Sequence, residues 1–302
     1  MLSLILIITS SFFFTGILNR TKSICSGRKG PGIFQPIKDI WRLFQKGSIY
    51  SETSSFIFKI APSIYFASVV MAILLIPFGN QKGLISFSGD FVFFAYILAL
   101  GKFFNIIGAL DTGSSFEGMG AAREALYSML VEPAFFLLMG SFALLTGHTS
   151  FADIFASLHF GSYISYAVGT LAAFVLVIIA MIENSRMPVD DPKTHLELTM
   201  VHEVMILDNS GFDLGMILHA TNLKFAMYGA LIANFFLTQG YEIYYSIPIF
   251  IFVQISFAII AGLIESFAAR FRMNHNSQFI FILSSIALFI FLGVLLMLGK
   301  ID

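Results

Sequence analysis

Eight runs of mostly apolar residues, at about 1–18, 60–78, 91–110, 130–146, 163–182, 214–237, 247–268 and 279–298, dominate this sequence. A run of about 20 apolar residues matches the hydrocarbon thickness of a bilayer when coiled as a helix. The runs are continuously apolar, without the period-two alternation of a barrel strand. They predict an all-α, polytopic membrane helix bundle with about eight transmembrane helices, one membrane domain over 1–302. Composition agrees: 57% of residues are hydrophobic and 12% charged, against about 25% charged in soluble domains. The single cysteine, Cys25, excludes a Cys-ligated zinc or iron–sulfur site within the chain. A net charge of −1 supplies no basic field for nucleic acid.

Charge sets an orientation. The segment 19–59 holds Arg20, Lys22, Arg28, Lys29, Lys38, Arg42, Lys46 and Lys59. With that segment cytoplasmic, Arg123, Arg186, Lys193, Arg270 and Arg272 fall on the same side, and only Lys82 and Lys300 outside. The positive-inside rule then predicts cytoplasmic long loops and external termini. The first run has no positive n-region and no small-residue cleavage site, so it reads as an uncleaved helix. No internal repeat is visible, which leaves an inverted-repeat transporter unsupported.

The loops carry the motifs. Gly27-Arg28-Lys29-Gly30-Pro31-Gly32 reads as a tight turn, and without a preceding strand or a closing Lys-Ser/Thr it is not a phosphate cradle. An amphipathic helix is predicted from about Pro36, with Ile37, Ile40, Trp41 and Phe44 opposite Lys38, Arg42 and Lys46. It could anchor in the interface or rim a cavity. Ala121-Ala122-Arg123-Glu124-Ala125 reads as a helix running on into the fourth span. The third loop begins at Glu183-Asn184-Ser185-Arg186 and contains Asp190, Asp191 and Pro192, an N-cap followed by proline. The helix expected there would place His195 and His202 on one face and Glu197 on another. Two histidines seven apart are weak as metal ligands, because the second His that a zincin helix needs is missing.

Lys102, Glu132, Lys224 and Glu265 lie within the apolar runs, with His219 nearby. Intramembrane charges cost about 2.5–3.5 kcal/mol each on insertion scales and face partners or water. Lys224 sits too deep for easy snorkelling and should have a carboxylate partner; Glu265 and Arg270, both near the inner end of the seventh span, could form a structural pair. Structural pairing and a hydrated, cytoplasm-facing cleft that handles protons are the two readings.

Taken together, Gly27 to Pro31 with Gln35, Pro36 and Asp39, then Leu110 to Ser114 with Gly120 to Ala125, then Glu183 to Asp190, then Ser210-Gly211, resemble the NADH–quinone oxidoreductase family of complex I subunit 1, the membrane subunit at the joint with the peripheral arm. The segment Pro192 to Met200 is most similar to the relatives of that subunit in membrane-bound nickel–iron (NiFe) hydrogenases and formate hydrogenlyase, the hydrogenase-4 component C type. The resemblance implies a subunit with no redox centre of its own, with the nickel–iron centre and iron–sulfur clusters in partner subunits. Those partners would be hydrogenase large and small subunits, or complex I quinone-module subunits, and antiporter-like membrane subunits. It implies that Glu124, Glu132, Glu183, Asp190 and Glu197 relay protons, and that Arg28, Asp39, Arg123 and Arg186 shape the interface with the redox arm. Lys224 and Glu265 join the coupling candidates through their depth in the membrane.

The function expected is the proximal membrane subunit of a hydrogenase or formate-hydrogenlyase-like complex in a prokaryotic inner membrane. It would anchor the redox arm and couple electron transfer to proton or sodium movement. The alternatives are the quinone-site membrane subunit of a respiratory complex I, a stand-alone ion transporter, and a purely anchoring role.

Overall fold

The computed structural model describes residues 2–79, 81–158, 163–191, 200–237 and 242–299. Among the described residues, eleven helices run in order: α1 (Leu2–Cys25), α2 (Gln35–Phe44), α3 (Phe56–Leu74), α4 (Asp90–Asp111), α5 (Ser115–Thr146), α6 (Phe151–Leu158), α7 (Tyr163–Glu183), α8 (His202–Met205), α9 (Gly211–Asn234), α10 (Ile243–Phe267) and α11 (Met273–Met297). No strand forms among the described residues beyond one isolated bridge, Phe78 to Gln81. The polytopic helix bundle is therefore the observed fold.

Each predicted span corresponds to a helix, but the eight are not alike. Six of them (α1, α3, α4, α5, α10 and α11) are long and apolar enough to cross a membrane by length and composition. The apolar stretch of α7 counted over Ala167–Glu183 is shorter. Helix α9 is not among the six, because Asp213, His219, Asn222, Lys224 and Asn234 dilute its apolar character. Its position explains this. Of its 24 residues 19 are buried, so its polar groups meet protein rather than lipid. Helices α1, α2, α3, α7 and α10 all pack on it.

Small residues set the close crossings, as membrane helix packing requires. Gly101 and Gly108 on α4 face α3, and a side chain at Gly108 would bring its Cβ to 2.8 Å from that of Ala61. At the far end of α9, the Asn234 amide donates to the Pro77 carbonyl at 2.9 Å and accepts from Gly79 N–H at 3.0 Å, which binds α9 to the α3–α4 connection.

Helix α5 begins at Ser115, so the Ala121 to Ala125 stretch is continuous with the span, as predicted. The amphipathic helix also forms, from Gln35, with proline in its first turn. Its apolar face is narrower than the sequence pattern implied. Ile40 is buried and Phe44 packs against Phe212 at 5.3 Å, but Trp41 is 65% exposed. One residue is about 100° of helix, and that turns Trp41 outward when Ile40 points inward. The segment after α2 lies across the start of α9, where Ile49 N–H donates to Ser210 Oγ at 2.9 Å.

Candidate functional site

Two of the charged groups within the spans, Lys102 and Lys224, meet Glu124 and Glu183 where α4, α5, α7 and α9 come together. Lys102 Nζ lies 2.9 Å from Glu183 Oε2 and 3.3 Å from Glu124 Oε1. Lys224 Nζ lies 2.8 Å from Glu183 Oε2 and donates to the Glu183 carbonyl at 2.7 Å. The required carboxylate partner of Lys224 is therefore Glu183, which bridges two lysines. All four side chains are at most 9% exposed. Two positive and two negative charges make the cluster neutral, which is how so many charges tolerate burial.

Local structure explains how four consecutive residues serve this region. Helix α7 ends at Glu183, and Ser185 adopts a left-handed backbone at φ 49°. The chain reverses there, with Arg186 N–H bonded back to the Met181 carbonyl at 2.9 Å. Glu183 thus faces the lysines, and Ser185 Oγ donates to Glu124 Oε2 at 3.0 Å. Arg186 turns to the other side, where its guanidinium lies 3.4 Å from Glu265 Oε1 and 5.2 Å from the Phe225 ring centre.

Two further ion pairs flank the cluster. Glu265, its side chain fully buried, also binds Lys22 at 2.6 Å. Asp190 binds Arg270 at 2.7 Å and accepts from the backbone N–H groups of Asp191, Val201 and His202 at 2.9, 3.3 and 3.1 Å. The predicted Glu265–Arg270 pair is thus replaced by two others. Glu265 is on the side of α10 turned into the bundle, whereas Arg270 lies in the loop after α10 ends at Phe267 and reaches Asp190 instead. The expected hydrated cleft is also replaced: the cluster is buried, with two small cavities beside it. One, of about 30 Å³, is lined by Lys102, Glu183 and Tyr228 and reaches Glu132. The other, of about 10 Å³, is lined by Lys102, Glu124, Glu183, Asn184 and His202. Each is of the order needed for an ordered water, about 10–15 Å³.

Glu132 sits differently from the other carboxylates. It lies on the exposed side of α5 at the mouth of the larger cavity. Glu124 and Glu132 are eight residues apart, about two helical turns plus 80°, which turns Glu132 from the buried side that holds Glu124 toward the exposed side on a different level. Of the residues tied to an interface, Arg28 and Asp39 are exposed, and Arg123 is half-buried with its guanidinium on the Met200 carbonyl at 2.9 Å. Arg186 is buried at 7% exposure. Glu197 and His195, with the rest of 192–199, lie outside the described residues. Among the described residues no group of His, Cys, Asp and Glu has the arrangement of a metal site.

The loop motifs do not single out Lys102, Ser185, Tyr228 or His202 as members of one site. Lys102 left a signal as a charge within an apolar run, Ser185 only as part of the Glu183 to Asp190 motif and His202 only as a weak metal-ligand candidate; Tyr228 left none. The last three are ordinary residues whose roles come from the chain reversal after α7 and the packing of α8 on α5.

The family described as NADH dehydrogenase matches residues 1–296. Hydrogenase-4 component C of Escherichia coli is 30% identical over 227 residues, 75% of this chain and 71% of that protein. Formate hydrogenlyase subunit 4 of the same organism is 27% identical over 210 residues, 70% of this chain and 67% of that protein. An NADH-quinone oxidoreductase subunit of Methylococcus capsulatus is 23% identical over 211 residues, 69% of this chain and 65% of that protein. A chain of the membrane-bound sulfane sulfur reductase, an archaeal respiratory membrane complex, shares the fold at a TM-score of 0.79 and 20% identity, over 96% of this chain and 97% of that one.

Proposed function

This chain belongs to the NADH dehydrogenase family, that of complex I subunit 1, and from that premise we propose that it is the proximal membrane subunit of a hydrogenase or formate-hydrogenlyase-like complex. It is an integral membrane protein. In this reading the loops joining α1 to α3, α4 to α5, α7 to α9 and α10 to α11 face the cytoplasm and dock a redox arm. The nickel–iron centre and iron–sulfur clusters reside in that arm. Arg28 and Asp39 lie on the exposed docking side, and Arg123 braces the loop after residue 200 beneath it.

The observation that carries the reading is the neutral, buried cluster of Glu124, Lys102, Glu183 and Lys224. One proton added to either carboxylate leaves two ammonium groups facing a single carboxylate. That unbalanced charge in a low-dielectric interior drives the proton onward. The cavity beside Tyr228 offers the way out, toward Glu132 on the side of the bundle where antiporter-like subunits would join. Asp190 and Glu265 hold the loop ends that the arm would move, and Glu197 is assigned to the same loop. A balanced cluster with water-sized cavities suits protons better than sodium, since an added metal cation has no spare carboxylate to meet.

The test is the Glu132→Gln variant in the assembled complex in vesicles. Electron transfer to artificial acceptors is expected to persist while protons moved per electron fall about tenfold or more. An unaltered ratio would remove Glu132 from the relay.

A quinone-reducing reading draws on one specific feature. His219 of α9 stands among Phe12, Phe66 and Phe44, with ring centres 5.8, 5.7 and 6.3 Å away, beneath the amphipathic helix. Crosslinking of a photoreactive quinone to α2 would favour it.

A further inference from the structure

We propose that His202 is the group that loads protons into the buried cluster, through one ordered water held in the smaller cavity. The inference rests on the relay reading above. It starts from two buried polar atoms, His202 Nε2 and Asn184 Oδ1, that have no hydrogen-bond partner. Both residues line the same cavity of about 10 Å³. Buried polar groups are almost always satisfied, and two orphans sharing a water-sized space indicate a bound water. Glu124 and Lys102 complete the polar wall around it.

The backbone around His202 is clamped. Its N–H donates to Asp190 Oδ2, the Met200 carbonyl two residues earlier is held by Arg123, and Val201 and Val204 press into the space left by Gly120. The residue as a whole is half-buried while Nε2 is sealed inside. The inner nitrogen thus meets the cavity, while part of the residue remains accessible from the loop side.

The groups facing it are Glu124 of α5, Lys102 of α4, Glu183 of α7, Lys224 of α9 and Arg186 after α7, with Tyr65 of α3 also on the cavity wall. Burial lowers the imidazole pKa to about 4, with Glu124 pulling upward against the three cations. The ring is neutral at pH 7 and has one N–H and one bare nitrogen. A proton arriving at the outer nitrogen lets Nε2 release one to the water, which passes a proton to Glu124. The imidazole is neutral before and after, and only its tautomer changes. The opposite tautomer resets by ring rotation. A structural core histidine would instead have both ring nitrogens satisfied.

The experiment compares three variants of the assembled complex in vesicles, read as protons moved per electron. His202→Gln fills similar space and hydrogen-bonds but cannot shuttle, and is expected to lower the ratio about tenfold or more. His202→Gly is expected to fall equally and to recover several-fold with added imidazole, the recovery following the neutral fraction of the imidazole as pH changes. Glu183→Gln is expected to fall without rescue. A wild-type ratio in His202→Gln, or no imidazole recovery in His202→Gly, overturns the role of His202 while loss in Glu183→Gln leaves the relay standing. An unaltered ratio in Glu183→Gln overturns the relay itself.

Discussion

Replacing Glu183 by glutamine is expected to destabilise the protein by about 3–5 kcal/mol, the cost of breaking a buried ion pair from one side. Its carboxylate is the only one within 4 Å of Lys224 among the described residues, and it is nearer to Lys102 than Glu124 is. In the variant Lys224 keeps the Glu183 backbone carbonyl but no counter-charge, in a side-chain environment 2% exposed. Lys102 falls back on Glu124 at 3.3 Å. The cluster then carries a net positive charge that burial penalises. The double variant Glu183→Gln with Lys224→Met restores neutrality and is expected to regain most of the loss, because an apolar side chain replaces a buried ion at little cost. Thermal or denaturant unfolding of the two variants measures the coupling. Equal stability of the single and double variants would mean that charge balance does not hold this region together. Glu265→Gln also breaks two pairs: Lys22, 22% exposed on its side chain, can turn toward water, but Arg186, 9% exposed, loses its carboxylate at 3.4 Å, so a cost of the same order is expected.

The contrast between Glu183 and Glu132 shows where sequence reading stops. Both sit in or beside apolar runs, and hydropathy gives their depth. It does not give the side of the helix that neighbours cover. Glu183 ends α7 against α9 and is buried, whereas Glu132 is on the exposed side of α5. The depth argument for Lys224 succeeded because it depends only on position along one helix. The Glu265–Arg270 pairing failed because nearness in sequence does not fix side-chain direction: Glu265 turns to Lys22 and Arg186, while Arg270, past the end of α10 at Phe267, reaches Asp190. Likewise α9 matched a span in length, but its central position in the bundle explains a polarity that lipid exposure would not allow. The long apolar helices were thus legible from hydropathy, but not their ends: α3 starts four residues earlier than expected, α6 lies outside the expected runs, and the helix expected from Asp191 through His202 is broken at Met200 and Val201, where α8 starts anew at His202. The partners across them depend on packing that no single segment encodes, and the small orphan-lined cavity beside His202 is lined from six helices at once, α3, α4, α5, α7, α8 and α9.

A Gly120→Val variant is expected to uncouple electron transfer from proton movement without changing any titratable group. Gly120 faces the loop after residue 200, and a Cβ there would lie 2.8 Å from the Val201 carbonyl oxygen and 3.2 Å from the Met205 nitrogen, as well as against the Val204 side chain. Two of those atoms are backbone, so the loop must move as a body rather than by a side-chain rotation. Moving it strains the Arg123–Met200 bond of 2.9 Å and the Asp190 bonds to Val201 and His202. Overpacking of this kind costs about 1–3 kcal/mol, less than the loss of Glu183, so the bundle is expected to remain assembled. The displaced α8 would carry His202 away from Glu124 and open the small cavity, where the closed arrangement holds one water. Protons per electron are then expected to fall about tenfold, with faster amide hydrogen exchange over 200–206 as the independent sign that the loop has lifted. A fall in the ratio with unaltered exchange would separate the two effects and point away from loop displacement. Unchanged coupling with faster exchange would show that proton transfer does not need α8 seated on α5. Because Glu124, Lys102, Glu183 and Lys224 are all retained, a loss accompanied by faster exchange over 200–206 would make docking of the loop a condition of transfer and the charges alone insufficient.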